Sequence, residues 1–306
     1  MPARQDIQLV IVGSIGLDTI ATPRDRRADI LGGSASYAGA AASFFARAGL
    51  VGVVGADFDA AHLALYRRFG CDLAGLQIRD GRTFRWSGVY EENMDNRRTL
   101  STELNVFADF MPRLPPAYRR APFLFLANIS PELQLRALDQ MRAPRFVMAD
   151  TMDLWIDTAR PALRQVIRRA HLLTVNEFEA RHLAARQSLF AAARVLLDWG
   201  PRHVLIKKGA QGCSLFSRRG IFQLPAYPVP DVRDPTGAGD TFAGGFIGAL
   251  AAAGRVNETA LRRAMLYGSV LASFGVEAFS LDRLRRLTRR AIEQRARAFH
   301  RMIRVD

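Results

Sequence analysis

Residues 234–246 read DPTGAGDTFAGGF, an acidic side chain set directly after two glycines at the start of a helical pattern. Phe242, Phe246 and Leu250 recur at helical spacing, while Ala243, Gly244, Gly245, Gly248 and Ala249 stay small. Close packing of a helix against a sheet accounts for the small residues. It does not account for the GAG ahead of them. Glycines there allow the N–H groups of Gly237, Ala238 and Gly239 to converge on one anion at the helix start. A carboxylate that served only the helix terminus would repel such an anion. Asp240 has a use beside it if it takes a proton from a hydroxyl that attacks a transferring phosphoryl group.

The elements that must hold this motif follow from alternation along the chain. Apolar strand-like runs at 8–13, 51–55, 123–128, 146–150, 172–176 and 203–207 are each followed by a turn or a helical pattern, including helices expected near 33–48 and 58–69. Short continuous apolar runs suit buried parallel strands, so the fold class is α/β with both faces of the sheet covered. Ligands in such sheets gather beyond the strand carboxyl ends, which directs attention to Asp18, Asp150, Asn176 and the loop after Lys207. The segments 28–31, 83–91 and 96–107 break the alternation and read as a small second sheet. On its middle strand Phe84, Trp86 and Tyr90 share one face, which either packs against the domain or a partner subunit or covers a substrate, by stacking on a nucleobase or a sugar face.

Composition narrows the alternatives. With 306 residues and 49% hydrophobic content, the chain can bury a large core. Two cysteines, Cys71 and Cys213, give neither a disulfide framework nor a metal spacing, which fits a cytoplasmic, reducing location. The apolar run at 242–253 is too short to cross a bilayer, and the first residues read as a strand and not as a secretory leader. The net charge of +14 invites nucleic acid, but 41 of the 43 basic residues are arginine, and many lie in the tail at 283–304. There Leu284, Leu287, Ala291, Ala298 and Met302 leave room for an apolar stripe, so a solvated helix face is the expectation and no nucleic-acid or membrane partner is. No GxGxxG follows the first strand and no GxxxxGK[ST] occurs, which removes the usual dinucleotide and P-loop fingerprints.

The motif DPTGAGDTFAGGF closely resembles the second signature of the ribokinase-like (PfkB) carbohydrate kinase family. VGSIGLD, GGSAS at 32–36, NEFE at 176–179 and VLIKKGAQGCSLF at 204–216 resemble further family segments in the family's order. The resemblance implies one ribokinase-like domain over 1–306, a three-layer α/β sandwich with a mainly parallel central sheet and a small β lid inserted from about 18–31 and 77–108. It implies transfer of the ATP γ-phosphate to an alcohol of a small carbohydrate, with a nucleoside kinase or a noncatalytic metabolite sensor as alternatives. Asp240 would be the base, and Gly237, Ala238 and Gly239 the anion hole. Glu179 would organise Mg²⁺ through water, and Asn176, Lys207, Gly209 and Gly212 would meet the nucleotide. Asp18, Gly32, Gly33, Ser34, Tyr37 and Asn105 would face the acceptor. Asp234 and Thr236 occupy the place of a monovalent cation loop, which makes K⁺ a candidate, and lids of this kind pair subunits in related kinases, which makes a homodimer one. Tyr37 stands where many relatives have asparagine, and Ser34 replaces the lysine of ribokinases, which weighs against ribose-type recognition.

Overall fold

The computed structural model describes residues 6–94 and 96–304. Its larger sheet has nine strands, which in chain order are β1 (Leu9–Val12), β4 (Ala48–Gly55), β5 (Asp72–Arg79), β8 (Phe123–Leu126), β9 (Phe146–Asp150), β10 (Leu172–Asn176), β11 (His203–Lys207), β12 (Cys213–Ser217) and β13 (Gly220–Leu224). A smaller sheet holds β2 (Gly16–Ala21), β3 (Arg26–Gly32), β6 (Phe84–Tyr90) and β7 (Arg97–Glu103). The large sheet runs β13-β12-β11-β10-β9-β8-β1-β4-β5, with every strand in one direction except β12, and the small one runs β3-β2-β6-β7.

Alternation within a single buried strand divides the core into layers. In β1, Leu9 and Ile11 join a cluster with the helices Ser34–Ala42, Ala238–Ala253, Glu258–Gly275 and Arg289–Ile303. Val10 and Val12 point the other way, into a cluster with the helices Pro131–Asp139 and Arg160–Arg169. Strands buried on both faces are the reason these runs read as continuously apolar. The result is the α/β sandwich expected, with a mainly parallel central sheet.

Two boundaries differ from the sequence expectation. The first long helix stops at Ala42 and not near 48, because the chain turns and Ala48 begins β4. Residues 77–79 lie in β5 of the large sheet and not in the insertion. Asp18 follows the first strand, as expected, and sits within β2, the second strand of the chain.

The tail helix Arg289–Ile303 buries Ile292, Ala296 and Phe299, with Leu284 buried just ahead of it. Met302, expected on the apolar stripe, is 58% exposed. Two of its arginines serve the fold: Arg295 lies 3.4 Å from the Phe274 ring centroid and 2.6 Å from Glu277, and Arg289 lies 4.5 Å from the Phe45 ring. Guanidinium groups stacked on rings in this way are spent on docking the helix.

Candidate active site

Register in the large sheet delivers the first half of the site. The ends of β9, β10 and β11 lie side by side, with Thr174 paired to Asp150 and Asn176 paired to Lys207. Lys207 Nζ donates to Asp150 Oδ2 at 2.9 Å, and the Asp150 side chain is almost wholly buried. Burial disfavours the Lys207 charge, but Asp150 and Glu179 outweigh it and hold the ammonium above its ordinary range. Asp150, flagged by its place at the end of FVMAD, therefore belongs with Lys207, although family resemblance alone did not bring it into the site.

NEFE forms a capping box. Asn176 Oδ1 accepts from the Glu179 N–H at 2.8 Å, and Glu179 Oε2 accepts from the Asn176 N–H at 2.7 Å. Glu179 thus has a local structural role, whatever else it does. Burial pushes it well above the ordinary carboxylate range; Lys207 opposes this and Asp150 adds to it. Among the described residues no group of three or more His, Cys, Asp or Glu side chains could hold a metal ion alone. Mg²⁺ bound to a nucleotide needs less, since it keeps several waters and takes one or two carboxylates. The buried oxygens of Asp150 and Glu179 fit that requirement.

The second half is the turn before the helix Ala238–Ala253. Gly237 adopts φ 71, and a Cβ built on it would overlap the Tyr37 ring, so both backbone and space demand glycine. Thr241 N–H donates to Gly237 O at 2.8 Å, closing the first turn. Of the three amides expected to meet an anion, Ala238 N–H is engaged with Pro235 O at 3.1 Å. Among the described residues Gly237 and Gly239 donate to no backbone carbonyl, and a Cβ on Gly239 would stand 3.3 Å from Lys207 Nζ. The turn therefore presents two amides beside an ammonium. Downstream, Gly248 comes so close to the neighbouring helix that a Cβ would lie 2.7 Å from Ala42 Cα, the packing role anticipated for the small residues.

Asp240 stands in the first turn of that helix. Burial pushes it up to about 6, Asp150 adds to this, and Lys207 and Arg97 oppose it. Asp18, 4% exposed, is pushed up to about 7 by burial, then by Asp234 and Asp240, against Arg97. Gly32 makes room for it: a Cβ there would overlap the Asp18 carboxylate. Gly33, at φ 92, starts the helix Ser34–Ala42 and would collide with Ser14 O at 2.5 Å if it carried a Cβ.

Several expected contacts are committed elsewhere. Ser34 Oγ donates to Asn128 O at 3.1 Å and accepts from the Ser14 N–H at 3.1 Å. Asn105 donates to Thr83 O at 3.0 Å, tying its short turn to the base of β6. Gly212 closes the β11–β12 hairpin, where a Cβ would overlap Leu224 O, while Gly209 faces open space. The Trp86 ring lies over Gly88, with Arg97 Cζ 5.5 Å from its centroid, so it is held within its own sheet. Arg97 itself, whose charge reaches Asp18 and Asp240, had no signal in the sequence beyond one more arginine in NRRT.

Asp234, 1% exposed, accepts from Thr236 N–H at 2.9 Å through Oδ1, while its Oδ2 has no hydrogen-bond partner among the described residues. Thr236 Oγ1 meets Tyr90 OH at 3.1 Å, which links this loop to the small sheet.

The comparisons agree with this geometry. A model of the "pfkB family carbohydrate kinase" matches residues 9–281. A cytidine kinase of Thermococcus kodakarensis is 32% identical over 250 residues, covering 79% of this chain and 87% of that one. An aminoimidazole riboside kinase of Salmonella typhimurium is 26% identical over 288 residues, 88% of each chain. An E. coli protein described as ribokinase II, solved with ATP and Mg²⁺, superposes with a TM-score of 0.78 at 19% identity over 95% of this chain and 99% of that one. With its signature turn built as above and the family model spanning most of its length, this chain belongs to the pfkB family of carbohydrate kinases.

Proposed function

We propose that the chain transfers the γ-phosphate of ATP to a primary hydroxyl of a ribosyl compound, with a nucleoside favoured over a free sugar. One observation carries the reaction: a partly shielded carboxylate, Asp240, stands in the helix turn whose free Gly237 and Gly239 amides and underlying Lys207 suit a phosphoryl group. The nucleoside preference rests on the similarity to a cytidine kinase over 79% of the chain, together with Ser34 and Tyr37 at positions where ribokinase-like members differ.

Each residue has a step. Asp18 accepts hydrogen bonds from acceptor hydroxyls and orients them. Asp240, mostly ionised at neutral pH, takes the proton of the attacking hydroxyl. The Gly237 and Gly239 amides and Lys207 then stabilise charge on the moving phosphoryl oxygens. Mg²⁺, when bound near Asp150 and Glu179, neutralises the nucleotide phosphates. These parts favour turnover over a sensor role.

Three finer features belong to the same reading. K⁺ fits at Asp234, whose buried Oδ2 lacks a hydrogen-bond partner among the described residues. The strand β7 is exposed along its whole length and lies at a sheet edge, which suits pairing between two copies. The dependence on ATP sets the reaction in the cytoplasm; among the described residues no helix is long and apolar enough to cross a membrane.

The test is acceptor-dependent ADP formation with ATP and Mg²⁺ against nucleosides and free sugars, in K⁺ or Na⁺ buffers. Higher kcat/KM on nucleosides supports the reading. Turnover of free sugars alone would overturn the nucleoside preference, and tight binding without any turnover would overturn the kinase.

A further inference from the structure

Arg295 does more than hold the tail helix Arg289–Ile303 to its neighbour. Its guanidinium lies 3.4 Å from the Phe274 ring centroid and 4.9 Å from that of Tyr227. The same group donates to Glu277 Oε1 at 2.6 Å and to Ser273 Oγ at 3.1 Å. Arg283 grips the other oxygen of Glu277, donating to Oε2 at 2.7 Å, and lies 5.0 Å from the same Phe274 ring. Docking the helix does not require this, because the buried Ile292, Ala296 and Phe299 already supply an apolar face. Two guanidinium groups on one largely buried carboxylate fix its place and so fix the turn that carries it.

That turn, at the end of the helix Glu258–Gly275, supports the segment leading to Asp240. Val276 O accepts from the Arg233 N–H at 2.8 Å and from the Asp234 N–H at 3.3 Å. Asp234 Oδ1 accepts from the Thr236 N–H at 2.9 Å, and Pro235 O accepts from the Ala238 N–H at 3.1 Å. Hydrogen bonds therefore run from Arg295 to Glu277, and from its neighbour Val276 to the amides around Gly237. Tyr227 lies on the chain that enters the same segment, so Arg295 touches both of its supports. Position matters here because a displacement of ~1 Å, caused far from the chemistry, can cost ~100-fold in rate.

We propose that Arg295 is a positioning residue for phosphoryl transfer: by clamping Glu277 it holds the Val276 carbonyl, and through it the turn from Asp234 to Gly239, in place beside Lys207. This rests on the reading of that turn as the phosphoryl site and adds the tail helix to the parts that set its geometry. Arg289 supplies the contrast. It docks the start of the same helix, 4.5 Å from the Phe45 ring and 2.6 Å from Phe44 O, at a place that leads to neither Glu277 nor Val276.

The test compares Arg295→Met, Glu277→Gln, their double variant and Arg289→Met with wild type, below all of their melting transitions. Arg295→Met and Glu277→Gln should each lower kcat by ~10-fold or more with the acceptor KM within a few-fold of wild type. Arg289→Met should lower Tm and leave kcat within about two-fold. The double variant should be no slower than the slower single one, because the two side chains act as a unit. Equal kcat losses in the Arg295 and Arg289 variants, an unaltered kcat in Arg295→Met, or losses that multiply in the double variant would overturn the proposal. Titrations with ADP and a nonhydrolysable ATP analogue, with Mg²⁺ present, read the turn without turnover. The preference for the γ-phosphate should fall by ~10-fold in Arg295→Met and hold in Arg289→Met. Should wild type turn over no acceptor, the kinase reading fails and these titrations alone judge Arg295. A preference that is absent from wild type, or unaltered in Arg295→Met, would then overturn its role.

Discussion

Replacing Lys207 with methionine should damage both halves of the site, and the structure sets the size of the effect. Nζ lies 2.9 Å from Asp150 Oδ2, with the two side chains 18% and 4% exposed. Removing one member of a buried pair leaves the other charge stranded, which costs ~3–5 kcal/mol. Glu179 and Asp240 would each lose the cation that opposes their rise as well. For a chain of this length that corresponds to a fall in Tm of about 5–10 °C. A second variant, Lys207→Met with Asp150→Asn, removes the stranded charge and should recover most of the loss. Kinetics carries an independent signature. Asp240 would rise above about 6, so the acid limb of the kcat/KM profile would move to higher pH, and the rate would fall more at pH 6 than at pH 8. Melting curves and pH–rate profiles of the three proteins form the assay. A single variant that melts within about 1 °C of wild type, with an unmoved acid limb, would refute the reasoning.

The acceptor side gives two more expectations. Gly32→Ala drives a methyl group into the Asp18 carboxylate, which has no exposed space to move into, so the acceptor KM should rise by ~10-fold or more, at a stability cost of ~1–3 kcal/mol. Steady-state kinetics with saturating ATP checks this, and an unchanged acceptor KM would contradict it. For Asp18 the folded state holds the carboxyl at about 7, against an ordinary 3.8, so the fold binds the proton more tightly than the unfolded chain does. Its contribution is fully present below 3.8 and is lost as pH rises through about 7, a swing of ~4 kcal/mol at most. Asp18→Asn should therefore raise Tm markedly at pH 8 and far less at pH 5, and melts at the two pH values showing the same shift would contradict that.

What could be read from the sequence depended on how local its cause was. Continuous apolar runs such as LVIV, FLFL and LLTV announced buried parallel strands because a strand covered on both faces has no polar positions. The GAGD turn was legible because φ above zero and close approach to Tyr37 leave no residue but glycine at 237. The strand β5, DLAGLQIR, went unread because as the sheet's edge it is only partly buried and carries no clean alternation. Asp18 was read only as following the first strand; that it lies within a strand was not legible, since the small sheet joins β2 to β6 across more than 60 residues and nothing local marks that pairing. Ser34 and Asn105 were read as facing the acceptor; only tertiary structure shows their bonds to Asn128 and Thr83. Arg97 was invisible for the opposite reason, one arginine among many, distinguished only by where the small sheet sets it down.

The central claim is that Asp240 removes the acceptor proton while the neighbouring turn holds the phosphoryl group. Its most direct test is acceptor-dependent ADP formation by Asp240→Asn at saturating ATP, Mg²⁺ and acceptor. The account predicts kcat lower by ~100-fold or more, with both KM values within a few-fold of wild type. A variant that turns over at the wild-type rate would contradict it.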